Sequence, residues 1–150
     1  MKKIMSLLMI AMMAICASVM FASCGDDDDK VTEVKRPTVT TDICQVNKGN
    51  ALVTGKILWN DNKSSKDAGF LVWSNSAPNK LFFEAKKTDT SLSTTIEAVV
   101  PFTTTMNGNV ITVYAPGETV YYQAVLRNVK VGKEKEDVTG NAMNFTVPAQ

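Results

Sequence analysis

The chain contains no histidine among its 150 residues. That absence removes the commonest general base, the commonest zinc ligand and every serine–histidine or cysteine–histidine nucleophile pair. Cysteine is scarce as well, with only Cys16, Cys24 and Cys44. Cys16 lies inside an N-terminal apolar run and Cys24 closes it, so Cys44 is left alone and no intramolecular disulfide framework is expected. A lone thiol with no imidazole to activate it reads as a small apolar side chain near a strand end. Neither a P-loop nor a dinucleotide-binding glycine fingerprint occurs. The 15 acidic residues nearly cancel the 16 basic ones, which leaves no electrostatic footprint for nucleic acid.

Carboxylate chemistry is what these absences leave. A glycoside hydrolase needs two carboxyl groups facing each other across a cleft. The acids from Asp42 to Asp137 mostly sit in loop-like stretches or beside lysines, where a solvated surface is the plainer expectation. Calcium fares no better: Asp61 and Asp67 flank one polar segment, but Lys63 and Lys66 fall inside it and no D-x-D-x-D-G spacing appears. No catalytic residue, metal ligand or cofactor is therefore assigned, and the chain reads as a non-enzyme.

The two ends of the chain differ in kind. Six of the eight methionines fall in the first twenty residues. Lys2 and Lys3 precede an uncharged run from Ile4 to Ala22, and the small residues Ala22 and Ser23 stand directly before Cys24. This is the pattern of a secretory signal; the run is also long enough for an uncleaved signal anchor. FASC (Phe21–Cys24) resembles a bacterial lipobox, with Phe21 where leucine is usual. That resemblance implies lipid on the Cys24 thiol and cleavage before it, giving a signal peptide over residues 1–23. Residues 24–36 follow as an acidic linker: Asp26, Asp27, Asp28 and Asp29 keep it hydrated, and it buries little.

From Pro37 the pattern is β throughout. Short runs rich in Val, Ile, Thr, Phe and Tyr alternate with Gly, Asn and Pro punctuation, and no segment keeps a helical repeat. Period two puts Ala51, Val53, Gly55 and Ile57 on one face, and Val120, Tyr122, Ala124 and Leu126 on another. Lys80–Lys87 suits an edge strand, and the charged stretch Lys130–Asp137 a solvated hairpin loop before a last strand at Met143–Val147. Seven or eight short strands over residues 37–148 have the rhythm of an all-β, immunoglobulin-like β-sandwich.

For ligand contact the aromatics matter most. Trp59 ends a strand beside a polar loop, and Tyr114 and Tyr121 can face outward, so these three make the candidate platform. Trp73 sits in the most apolar run, GFLVWS, and reads as core.

Gly55, GF at 69–70, WS at 73–74, APGETVYYQAVLRN at 115–128, Gly132, Gly140 and FT at 145–146 together resemble the fibronectin type III-like domains of Bacteroidetes surface lipoproteins. The resemblance spans nearly all of the chain behind the signal. It implies a single sandwich held by a tyrosine-corner hydrogen bond. The extra residue in PGETVYY leaves that bond to Tyr121 or Tyr122, and period two turns Tyr122 inward. It further implies an outer-membrane lipoprotein, anchored through Cys24 and marked for the cell surface by the aspartates, with the periplasmic face as the alternative. The expected role is binding or adhesion toward a protein or glycan ligand, with accessory glycan binding in polysaccharide uptake as the narrower version.

Overall fold

A computed structural model describes residues 35–63 and 67–149. The expected signal peptide over residues 1–23, the expected lipidation site Cys24 and Asp26–Asp29 lie outside the described residues.

Every regular element among the described residues is a strand: β1 (Thr38–Thr41), β2 (Gln45–Val46), β3 (Asn50–Leu58), β4 (Asp67–Ser74), β5 (Leu81–Glu84), β6 (Lys86–Asp89), β7 (Ser93–Pro101), β8 (Thr103–Met106), β9 (Asn109–Thr112), β10 (Thr119–Val131) and β11 (Glu134–Thr146). One open antiparallel sheet runs β1-β3-β7-β6, with β2 also pairing β3; a second runs β11-β10-β4-β5; β8 and β9 form a separate two-stranded ribbon. The alternation expected in β3 and β10 is present, and it supplies the core. Val53 and Ile57 of β3, Ile96 and Val100 of β7, Phe70 and Val72 of β4, and Val120, Tyr122 and Leu126 of β10 are all sealed from solvent in one cluster shared by the two larger sheets. Each such side chain contributes about 1.5–3 kcal/mol of transfer free energy.

Three stretches depart from the expected pattern. Lys80–Lys87 is two strands rather than one. The chain leaves the second sheet after Glu84, passes through buried Ala85, and joins the first sheet at Lys86. At that crossing the Ala85 amide donates to the Ala68 carbonyl at 3.0 Å. Thr103–Thr112 is a hairpin turned by Asn107 (φ 52°) and Gly108 (φ 79°), the left-handed pair of a type I′ turn. Lastly, the charged stretch 130–137 is not a loop. Gly132 (φ 65°) turns a tight hairpin, and Val131 already pairs with Glu134.

The two larger sheets are clasped along one side. Register slips between Gln123 and Val125, leaving the Ala124 amide without a β11 partner. The Thr41 hydroxyl of β1 accepts from that amide at 2.9 Å. The approach depends on Gly140 of β11: a Cβ there would lie 2.7 Å from Thr41 Oγ1 and 2.9 Å from the Thr41 nitrogen. Asn141 Oδ1 accepts from the Thr41 amide at 3.2 Å, and Gln123 Nε2 donates to the Gly140 carbonyl at 2.8 Å.

Beside the clasp, Tyr122 faces inward and its hydroxyl donates to the Asp42 carbonyl at 2.8 Å. Its partner thus lies just past β1, not in the turn leading into β10. Burial, then the neighbouring Cys44, pushes the Tyr122 hydroxyl well above its ordinary value of 10.0. Tyr114 is raised as well, by burial and then by the nearby Glu118 carboxylate. Both phenols hold their protons more tightly folded than unfolded. Their contribution to stability is complete below about pH 10 and is lost as pH climbs through the folded values. Urea midpoints measured against pH are expected to stay level on the neutral side and fall above about pH 10, less steeply in Tyr122→Phe. A Tyr122→Phe curve parallel to the parent would remove that cause.

Candidate binding face

The expected platform is not where the aromatics gather. Trp59 directly follows β3, at a turn whose Asn60 (φ 48°) and Asp61 (φ 66°) are left-handed. The turn folds the indole back against the core at 8% exposure. Its Nε1 donates to Thr94 Oγ1 at 2.7 Å, and that hydroxyl donates on to Asp89 at 2.5 Å. Tyr114 is buried too, at 1%. Tyr114 offers no ring face to a ligand, which corrects its expectation; Trp59 is mostly buried and keeps only a small exposed part, in the wall of a cleft.

Tyr121 does face outward, and Trp73 joins it. The expected core position of Trp73 is thereby corrected: it is half-buried on the outer face of the second sheet. The run GFLVWS is apolar on both faces, so nothing in it marks the phase. Phase is set by Phe70 and Val72 pointing inward, which places polar Ser74 inward after them, at 1% exposure. Ser74 tolerates this because its Oγ accepts from the Ala77 amide at 3.1 Å and meets the Ser76 hydroxyl at 3.2 Å.

Trp73 pairs directly with Tyr121 across β4 and β10, and the rings stack with centroids 5.7 Å apart at 17°. From the β5 side Lys80 Nζ sits 4.4 Å from the Trp73 centroid. Trp73 is thus flanked by a cation on one side and a phenol on the other. Two residues along, Phe82 of β5 pairs with Leu71 and lies across Gly69, whose missing side chain makes room for the ring. Arg127 of β10 sits 4.7 Å over Phe82. Each cation–ring contact at such exposure is worth about 0.5–1 kcal/mol. The face is therefore ordered, and it is rich in the residue types that dominate binding energies: Trp, Tyr and Arg.

A second feature is a cleft of about 410 Å³ lined by Trp59 together with Leu58, Asn60, Asp61, Lys63, Ser91 and Leu92. It holds one carboxylate, Asp61, which Lys35 contacts at 2.6 Å and holds below the usual carboxylate range. Among the described residues no group of three or more Cys, Asp or Glu side chains is placed to hold a metal ion. Glu118 is held low by the hydroxyls of Ser74 and Ser76, and also accepts from the Ala115 amide at 2.8 Å. That ties the carboxylate into its own turn.

Tyr114 leaves one loose end, a buried hydroxyl with no hydrogen-bond partner among the described residues. A desolvated, unpaired hydroxyl costs about 1–3 kcal/mol. Tyr114→Phe is accordingly expected to raise stability by about 1 kcal/mol, read as a higher urea midpoint at unchanged slope. A lower midpoint would mean the hydroxyl has a partner after all.

No protein-family model, no curated protein and no solved structure matches the chain.

Proposed function

We propose that this protein is a non-enzymatic, lipid-anchored binding module of the bacterial outer membrane, with an immunoglobulin- or fibronectin type III-like sandwich presented from Cys24. The anchor rests on sequence: the run Ile4–Ala22, the small residues before Cys24, and the hydrated spacer Asp26–Asp29. The binding role rests on one observation, the outer face built from Lys80, Trp73, Tyr121, Phe82 and Arg127. A half-exposed aromatic surface already held in place binds with little further ordering cost.

A polypeptide suits that face better than a sugar. Stacking on a pyranose needs an open ring face, and Trp73 is flanked on both sides by Lys80 and Tyr121. Edges and cations, by contrast, suit amide and carboxylate contacts. Among the described residues neither the face nor the cleft brings two carboxylates together, which is in keeping with a binding rather than a hydrolytic role.

Two measurements test it. Mass spectrometry of the processed N-terminus is expected to find a lipid-modified Cys24; an unmodified cysteine, or cleavage elsewhere, would sink the anchor. A panel of host proteins and glycans is expected to give protein ligands whose retention falls at least tenfold in Trp73→Ala, the loss typical of a binding hot spot. Hits confined to glycans, or protein hits indifferent to Trp73, would overturn the proposed face.

A further inference from the structure

The ribbon β8–β9 differs from the edges that β5, β6 and β11 form on the two larger sheets; β1 is covered by its contact with β11, and β2 is only two residues long. Its residues Thr103–Thr112 carry no charge and no proline, and Met106, Val110 and Ile111 are 61%, 73% and 41% exposed. The other edges are guarded in ways that suppress strand addition. β6 carries Lys86, Lys87 and Asp89. β5 is four residues long, preceded by Lys80 and closed by Glu84. β11 has the charged run Glu134–Asp137 and is met by β1 at Gly140. A two-stranded ribbon alone is marginally stable in water, and added strands are what stabilise it.

Hydrogen-bond parity shows what the open edge offers. The two-residue turn makes Met106 and Asn109 a hydrogen-bonded pair, so Thr104 and Ile111 form the next one. The Val113 amide donating to the Phe102 carbonyl at 2.8 Å continues the same parity. The amides and carbonyls of Val110 and Thr112 therefore point away from β8. Among the described residues no other strand pairs with β9 on that side.

We infer that β9 is a self-association edge that pairs antiparallel with β9 of a second copy of this chain, centred on Ile111 opposite Ile111. This register follows from the parity. It sets Val110 opposite Thr112 and Thr112 opposite Val110, so both outward residues of each copy exchange both of their hydrogen bonds. A two-fold axis perpendicular to the ribbon keeps equivalent faces together. The two Ile111 side chains then meet as a close non-hydrogen-bonded pair, with Met106 diagonal to each. The uncharged strand sets no like charges against each other. The equivalent β8 edge is poorer, since Thr103 is partly covered and its central pair would be Thr104 with itself. A four-residue edge buries far less than the ~1,000 Å² of a lasting interface, so the pairing is transient and is read by trapping rather than by sizing.

Full-length protein with Cys16→Ser, Cys24→Ser and Cys44→Ser is oxidised with copper-phenanthroline after introducing Ile111→Cys, Val110→Cys or Leu92→Cys; Leu92 is 79% exposed and lies before β7, outside the ribbon. Disulfide-linked homodimer is expected severalfold above the other two variants for Ile111→Cys alone, because only that residue meets its own copy. Adding Thr112→Pro, which removes an outward amide and no ribbon hydrogen bond, is expected to return the yield to that of Leu92→Cys. Equal yields at all three positions, indifference to Thr112→Pro, or capture of other polypeptides in place of a homodimer would each overturn the inference.

Discussion

Gly69→Ala is expected to destabilise the domain by about 3 kcal/mol, the upper range for forcing one methyl into filled space. The added Cβ would run into the Phe83 carbonyl oxygen and lie 2.6 Å from the Phe82 ring. Phe82 could swing away at modest cost, but the carbonyl cannot. It belongs to β5, whose register against β4 is held from Val72–Leu81 to Gly69–Glu84. Relief therefore means separating β5 from the sheet, which also strips the ring from beneath Arg127. Gly49→Ala is the matched control, since nothing lies within 4 Å of its would-be Cβ. Urea midpoints should fall steeply in the first variant and hold within about 0.5 kcal/mol in the second. Equal midpoints would show that β5 adjusts freely.

The clasp between β1 and β10 predicts the second large effect. Thr41→Val keeps the side-chain shape but leaves the buried Ala124 amide without an acceptor, at a cost of about 2 kcal/mol. Thr41→Ser keeps the hydroxyl and should cost about half as much, through the lost methyl alone. Gly140→Ala attacks the same contact from β11, pushing against the Thr41 nitrogen as well as its hydroxyl. Because both changes break one arrangement, the double variant Thr41→Val/Gly140→Ala should fall short of additivity by about 1 kcal/mol. Full additivity in a double-mutant cycle would separate the two sites.

The clasp also shows where sequence reading stops. Period two in Ala51–Ile57 and Val120–Leu126 is a local signal, and it identified the two main core strands. Asn107-Gly108 is equally local, a two-residue turn signal of the type I′ kind. What failed depended on partners distant in sequence. Gly140 matters because Thr41, roughly a hundred positions earlier, comes to rest against it. Lys80–Lys87 looked like one strand because nothing in its residues says that Glu84 and Lys86 pair with different sheets. The alternating charges of 130–137 looked like a loop because their strand partners are one another, beyond the reach of β4.

The aromatics failed for another reason. The polar loop beside Trp59 suggests exposure, yet two consecutive left-handed residues turn the ring back against the core. The apolar neighbours of Trp73 suggest a core position, yet a strand apolar on both faces gives no phase. Only Ser74 could have supplied one, and its polarity pointed the wrong way, since its hydroxyl is satisfied by the turn that follows. Of the expected platform only Tyr121 faces outward, and its stacking partner is the tryptophan assigned to the interior.

Those two tryptophans, the only ones in the chain, give the molecule a built-in optical readout. The Trp59 indole is mostly buried and hydrogen-bonded, so its emission reports whether the interior is intact. Trp73, half-exposed between a lysine and a tyrosine, reports what touches the outer face. Trp59→Phe leaves a single fluorophore on that face, and Trp73→Phe a single one inside. Unfolding and ligand contact can thus be followed as separate emission changes, with no label attached.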